Sequence, residues 1–461
     1  MPPNIVLILA DDMGYGDFGC FNEGLTDTPT LDHLVEEGVC LTQHYSASPV
    51  CAPARASLLT GRYPQRTGAI DTLEHRGLDR LALDETTVAD LLRRAGYVTG
   101  LVGKWHNGAI DARYHPNRRG FDEFLGFSGG WQQYWDWRLD ANGTAVKSDG
   151  RYLTDVFSDA AVDFLHRHRR DRFFLYLAYN APHYPFQAPD DDVAVFREQG
   201  RHTTAVNCLY GMLRVLDRGV ERVLDALRAL GLADDTVVLF SSDNGPQFGG
   251  DGEMCTDRFN CGFRGAKTLV YEGGIRLPMV MRWPDGMEGR RRIDDLVHLT
   301  DWLPTLVALA SASLPGDVAL DGADVSPLLR GDKGRVDPVR FWQWNRYAPV
   351  AECNAAMRDG EWKLVRPAIA EAMELAPGDL AADVRMKSDP EAFPTIVSDP
   401  LPEREIPEPG PSQLFDLVAD PGETTDLAGE EPGRVRKMEA ELARWFEEVE
   451  ADRRRHPDAL P

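Results

Sequence analysis

At 461 residues the chain is longer than one ordinary hydrophobic core can absorb, so two domains are expected. Its 43% hydrophobic and 27% charged residues argue against a disordered chain, and no run reaches the apolar length of a membrane helix. The formal net charge of −24 argues against nucleic acid as a partner, and it means that an anionic substrate must be met by local cations or a metal; no membrane partner is expected.

Asn4–Ala10 is a continuous apolar run, the pattern of a strand buried on both faces. No basic segment or small-residue cleavage site precedes it, so a cytoplasmic location and reduced thiols are expected for the seven cysteines; on export, Cys255 and Cys261 are close enough to pair. A short helix follows, with Thr28 as N-cap, Pro29 at the first position, Leu31, Leu34 and Val35 inward, and Gly38 as its end. Thr86–Ala95 reads as a second helix stopped by Gly96. Tyr97–Val102 is the next strand, Phe173–Tyr179 a third and Thr236–Phe240 a fourth; Thr204–Leu230 is a long amphipathic helix between the last two. This alternation predicts an α/β fold, a mainly parallel sheet sandwiched by helices over residues 1–335. From 336 to 461 the pattern changes to a smaller α+β domain. Its antiparallel strands are expected at Phe341–Tyr347, Ala356–Val365 and Gln413–Leu417, and Pro432–Asp452 forms a terminal helix. Pro367–Pro411, rich in Pro, Asp and Glu, reads as a long surface loop.

Ligands of parallel sheets bind beyond the carboxyl ends of the strands. Here the four strands are followed by Asp11-Asp12, by Gly103-Lys104-Trp105-His106, by Asn180-Ala181-Pro182-His183 and by Ser242-Asp243-Asn244-Gly245. Every strand end delivers ionisable or metal-binding side chains to one edge. Asp11, Asp12, Asp243 and Asn244 offer hard oxygen atoms, which suit Ca²⁺ or Mg²⁺ better than zinc. The Asp-Asp pair by itself also reads as a solvated turn; the second pair, after another buried strand, weighs against that. Pro53 with Ala-Arg-Ala-Ser-Leu-Leu after it looks like a helix start, which sets Cys51 near a helix N-terminus, where free amides favour an anion. On these grounds alone Cys51 reads equally as a reactive thiol or a small buried residue.

The segment Pro49-Val50-Cys51-Ala52-Pro53-Ala54-Arg55-Ala56-Ser57-Leu58-Leu59-Thr60-Gly61 resembles the signature of formylglycine-dependent sulfatases, in which the cysteine of Cys-x-Pro-x-Arg is oxidised to an aldehyde by a dedicated formylglycine-generating enzyme. The early Asp-Asp, Gly-Lys-Trp-His, Ala-Pro-His, Ser-Asp-Asn-Gly and Phe263-Arg264-Gly265-Ala266-Lys267 motifs match as well, as do Tyr271–Pro278, Gly360–Leu364 and Leu414–Leu417. Asn107, where relatives often carry leucine, is a small departure, and 367–411 does not align.

The resemblance implies the alkaline-phosphatase-like sulfatase fold, Ca²⁺ (or Mg²⁺) held by Asp11, Asp12, Asp243 and Asn244, and formylglycine at Cys51. It also implies roles. One hydroxyl of the hydrated aldehyde attacks sulfur, with Asp243 as proton acceptor and Arg55 holding the diol. Lys104 and Lys267 neutralise the sulfate oxygens, and His183 with Lys267 protonates the leaving alcohol. His106 takes the proton of the second hydroxyl as sulfate is released. The substrate expected is a sulfate ester, preferably of a sulfated carbohydrate. The competing readings are a phosphonate monoester hydrolase or phosphodiesterase of the same superfamily and a non-catalytic binding protein that kept the fold. Trp131–Trp137 reads as a sugar-stacking platform, with Asp136 and the glutamines on hydroxyls, or as ordinary packing. His75, Arg76, Arg258, Asn260, Trp344 and Arg346 are further candidate substrate contacts.

Overall fold

The computed structural model describes residues 2–250, 253–316, 319–332 and 337–456. A ten-stranded sheet runs through the larger part in the order Arg291–His298, Val39–Tyr45, Arg276–Arg282, Thr236–Ser242, Asn4–Ala10, Phe173–Ala178, Val98–Lys104, Glu123–Phe127, Arg138–Ala141 and Thr144–Lys147. Its centre is parallel: Asn4–Ala10 pairs with Thr236–Ser242 on one side and with Phe173–Ala178 on the other. Arg276–Arg282 runs antiparallel to both its neighbours, and the last two strands form an antiparallel edge.

The unbroken apolar run of the first strand has a direct packing cause. Val6, Ile8 and Ala10 belong to the core on one face, beneath the helices Leu153–Arg167 and Thr204–Ala229. Ile5, Leu7 and Leu9 belong to the core on the other face, beneath Cys51–Thr60, Val88–Arg94 and Trp302–Leu309. Polar alternation would leave one of these layers unpaired. The helix expected at Thr86–Ala95 is shorter, because Thr87 caps it: its Oγ1 accepts the Asp90 N–H while the Asp90 carboxylate accepts the Thr87 N–H.

A second, four-stranded antiparallel sheet joins Val339–Gln343, Ala355–Asp359, Trp362–Arg366 and Gln413–Asp416 in that order. The single stretch expected at Ala356–Val365 is a hairpin that turns at Gly360 (φ 63°). One face, with Met357, Leu364 and Leu414, packs on the terminal helix Pro432–Arg453 through Met438, Leu442 and Trp445. The other, with Trp342, Ala356, Val365 and Phe415, packs on Tyr45, Val270, Tyr271 and Ile275 of the larger part. The boundary expected at 335–336 falls in 333–336, outside the described residues.

Residues 367–411 are not simply a loop. They contain the helix Pro377–Ser388, of which only Asp379 and Met386 are buried while Leu380 and Val384 are exposed. With no apolar stripe, the segment carries no helical period to read. Cys255 and Cys261 are not joined in a disulfide, and Cys255 is fully buried.

Candidate functional site

The parallel register sets Ala10 beside Ser242, so Asp11-Asp12 and Asp243-Asn244 leave the sheet side by side. All four are buried. The Asp12 N–H donates to Asp243 Oδ1 at 3.3 Å, and Asn244 Nδ2 donates to Asp12 Oδ1 at 2.7 Å. Asp12 (φ 63°) and His106 (φ 52°) both adopt the left-handed backbone region. Such a conformation costs about 1–3 kcal/mol in a non-glycine residue and persists where surrounding structure enforces it.

Cations close the ring. Lys104 Nζ lies 2.6 Å from Asp11 Oδ2, and Lys267 Nζ 2.8 Å from Asp12 Oδ2. Arg55 donates to Asp243 Oδ2 through Nε at 2.9 Å and to the Lys104 carbonyl through Nη1 at 3.2 Å, and its Nη2 lies 2.8 Å from Asp243 Oδ2 as an ion pair. Three buried carboxylates thus face three cations. Burial pushes the Asp11 carboxyl up to about 7 against the pull of Lys104. Burial opposes ionisation of Asp12 too, but Lys267, His183 and Lys104 outweigh it and hold that carboxyl well below the usual range.

Cys51 heads the helix Cys51–Thr60, every residue of which is buried and which ends at Gly61 in the left-handed region (φ 70°). Cys51 lines a cleft of about 340 Å³ with His106, His183, Lys267, Glu74, Trp131 and Arg346. Burial pushes its thiol up, with Lys104 and Lys267 pulling the other way. The thiol therefore stays protonated at neutral pH, a poor nucleophile as cysteine.

Burial, then the neighbouring cations, pushes both His106 and His183 well below the ordinary histidine range, so both are neutral at pH 7. His183 Nδ1 is 2.5 Å from the Tyr184 carbonyl and donates to it, which leaves Nε2 a lone pair, 3.6 Å from Asp12 Oδ2. Burial opposes the charge on Lys267, but Asp12 more than offsets this and keeps the ammonium protonated.

Asp11, Asp12 and His183 present ligand atoms within 4.8 Å of one another. Asp11 Oδ1 and Asn244 Oδ1 are buried without a hydrogen-bond partner. Orphaned, converging oxygens among oxygen-rich neighbours are the donor set of a hard divalent cation, so the residues fit such an ion.

Of the further candidates, Arg258 is bound to Asp17 and the Asp12 carbonyl, and His75 and Arg76 both hold Asp379; these are internal pairs. Asn260 donates to the Gly265 carbonyl, and Trp344 is buried. Arg346 does line the cleft, anchored on Asp71 and Thr72. Within Trp131–Trp137, Tyr134 and Trp137 are core residues, whereas Trp131 faces the cleft. Thr72, Glu74, Gln247, Thr268, Asp383 and Lys387 also line it. Sequence reasoning missed them because they sit on turns and on the stripe-less helix Pro377–Ser388, where no period or motif marks them.

Residues 3–312 match the profile of the Sulfatase family, and residues 263–400 match the one described as N-sulphoglucosamine sulphohydrolase, C-terminal. Steryl-sulfatase of Mus musculus is 32% identical, over 95% of this chain and 80% of that protein. Arylsulfatase A of Homo sapiens is 34% identical, over 93% of this chain and 84% of its own length. The solved structure of Ps i-CgsB in complex with k-i-k-neocarrahexaose has a TM-score of 0.80 at 30% identity, covering 96% of this chain and 93% of that one. The chain belongs to the sulfatase family and is a sulfuric ester hydrolase.

Proposed function

We propose that this sulfatase hydrolyses the sulfate ester of a sulfated carbohydrate, using an aldehyde made from Cys51 and a divalent cation, Ca²⁺ by preference. One observation carries the reading: Cys51, Lys267, His106 and His183 line a single cleft, and Lys267 and His183 reach from it to Asp12 in the buried cluster of Asp11, Asp12, Asp243, Asn244, Arg55 and Lys104. The cation, bound by Asp11, Asp12, Asp243 and Asn244, would supply positive charge for the sulfate oxygens and acidify an adjacent hydroxyl. The hydrated aldehyde would offer two hydroxyls where serine offers one and cysteine a single thiol, the first to attack sulfur and the second to drive sulfate release.

The chain's own residues do the rest. Arg55, locked on Asp243, fixes the carboxylate that accepts the attacking hydroxyl's proton. Lys104 and Lys267 balance charge gathering on the sulfate oxygens. Lys267, kept charged by Asp12, is the proton donor beside the leaving oxygen; His183, with its Nε2 lone pair toward the cleft, passes on a proton once a bound anion favours its charged form. His106, neutral, accepts the proton of the second hydroxyl.

A saccharide is supported by the shape around this centre. The cleft continues past Glu74, Trp131 and Lys387 into a second chamber of about 410 Å³ lined by Gln132, Gln133, Asp136 and Arg138. An indole beside amide and carboxylate groups suits a sugar ring, with an apolar face and rim hydroxyls. N-acetylgalactosamine-6-sulfatase of Homo sapiens is 34% identical over 74% of this chain, and Ps i-CgsB was solved with an oligosaccharide.

The test combines mass and activity. The peptide containing Cys51 from protein matured by a formylglycine-generating enzyme is expected to show conversion of thiol to aldehyde. Cys51→Ala abolishes sulfate release while leaving the fold intact. Chelation removes activity and Ca²⁺ or Mg²⁺ restores it. Full activity in protein carrying only the thiol, or in chelated metal-free protein, overturns the reading.

A further inference from the structure

Glu74 opens a single 3-10 turn, Glu74–Arg76, on the cleft wall. Its side chain is 8% exposed, and its Oε1 lies 3.7 Å from His106 Nε2. The Gly130 N–H donates to the same oxygen. The chain passes over this pair only because residue 130 has no side chain: a Cβ there would come within 2.8 Å of His106 Cε1 and 2.9 Å of Glu74 Oε1. Among the described residues, Glu74 is the one carboxylate within 4.0 Å of a His106 nitrogen, and neither ring nitrogen makes a well-formed hydrogen bond.

The turn is also clamped from behind. His75 Nε2 at 3.0 Å and Arg76 Nε at 2.7 Å both meet Asp379 Oδ1, while the Tyr347 hydroxyl donates to Asp379 Oδ2 at 2.8 Å. The helix Pro377–Ser388 therefore fixes where Glu74 stands.

His106 has an electrostatic difficulty as a proton acceptor. Burial, Lys104, Arg55 and His183 all disfavour its charged form and outweigh the Thr72 backbone, which favours it. A negative partner at the ring's open edge removes the difficulty, and Glu74 is in that position. Resting on the function proposed above, we propose that Glu74 is the positioning residue of His106: it orients the imidazole and supplies the negative charge that lets the ring take a proton. The proton moves from an O–H group in the cleft to His106, the new positive charge pairs with the Glu74 carboxylate, and the proton then leaves to solvent through the cleft.

The groups facing Glu74 are His106 from the end of the strand Val98–Lys104, Asp79 from its own loop, Asp383 and Lys387 from the helix behind, and the Gly130 amide. Burial, then Asp79 and Asp383, pushes its carboxyl up to about 8, against the Gly130 amide and Lys387. The sign follows. Only the ionised form assists His106, so kcat rises with pH through this region.

The experiment compares wild type with Glu74→Gln, which keeps an acceptor for the Gly130 N–H and loses the charge, and with Glu74→Asp, which keeps the charge. Turnover is followed across pH 6–10, and His106 by NMR of histidine-labelled protein, assigned with His106→Ala. Wild type and Glu74→Asp are expected to show a rising kcat limb and an inflection of the His106 ring signal near pH 8. Glu74→Gln loses both, its kcat falls at least about tenfold, and a burst of one alcohol per site appears as sulfate release becomes slow. A Glu74→Gln variant that retains the limb and the inflection overturns the proposal, even if its kcat is lower. The NMR inflection needs no turnover, so a wild type without sulfate-ester activity would refute the proposed function while the pairing is still decided.

Discussion

Two histidines share one cleft but not one set of partners, and their chemistry divides accordingly. His183 stands beside Lys267 and Asp12, its ring fixed by the Tyr184 carbonyl, and the proposed mechanism puts the leaving group there. His106 stands across the cleft beside Glu74. His183→Ala is therefore expected to slow sulfate esters of poor leaving groups, such as sugars, far more than activated aryl sulfates, because only the former need a proton at the departing oxygen. His106→Ala still cleaves the first bond and shows a burst of one alcohol per site in rapid-quench kinetics. Equal losses on both substrate types with no burst would remove the division of labour. These residues were legible in the sequence because each follows a strand end at a fixed short spacing. Their protonation states were not: the neutral His183, its Nδ1–H donated to the Tyr184 carbonyl, and the charged Lys267 depend on burial and on partners up to 255 positions away in the chain.

Strands and caps explain how much of the scaffold a sequence can announce. The central strands were readable because both their faces are buried and the apolar run cannot be interrupted. Val39–Tyr45, Arg276–Arg282 and Arg291–His298 were not recognised, since polar and charged residues interrupt them; Arg276, for example, bonds to the Thr42 carbonyl from within its strand. The contact between the two sheets was equally hidden. Lys363, on a strand of the smaller sheet, lies 2.9 Å from Glu272 and 2.8 Å from Glu423, with all three side chains fully enclosed. Burial pushes the Glu423 carboxyl up to about 7 despite Lys363, whereas Glu272, with Arg276 and Arg358 also near, is held below its ordinary value in spite of burial. Removing the shared cation strands two carboxylates in a dry interface. Lys363→Ala is expected to cost about 3–5 kcal/mol, measured by denaturant unfolding, and adding Glu423→Gln recovers part of the loss. A Lys363→Ala protein as stable as wild type would mean that water enters the interface or that the carboxylates take up protons at little cost.

Over the whole molecule the net charge is −24, yet the chemistry is directed at an anion. The solution is local: Arg55, Lys104 and Lys267 are all drawn to the strand-end edge, where they pair with Asp243, Asp11 and Asp12 respectively. The divalent cation that the orphaned oxygens fit would give the site its further attraction for an anion. Charge alone would then favour a phosphate monoester, with nearly two negative charges at neutral pH, over a sulfate monoester with one. The preference for sulfate must come from a later step. Sulfate is the weaker base and departs more readily from carbon as the C–O bond of the enzyme-bound ester breaks, so the release step proposed for His106 and Glu74 would be faster for sulfate than for phosphate. A phosphate monoester is accordingly expected to bind well and turn over slowly, with kcat falling more than affinity. The measurement is kcat/KM, with kcat and KM resolved separately, for an aryl sulfate and for the phosphate monoester, phosphate diester and phosphonate monoester of the same alcohol. The diester and phosphonate carry the single charge of sulfate, so they isolate release chemistry from charge. If either exceeds the sulfate by tenfold or more, about 1.4 kcal/mol of transition-state preference, the sulfated-saccharide assignment yields to a phosphodiesterase or phosphonate hydrolase working through the same cleft.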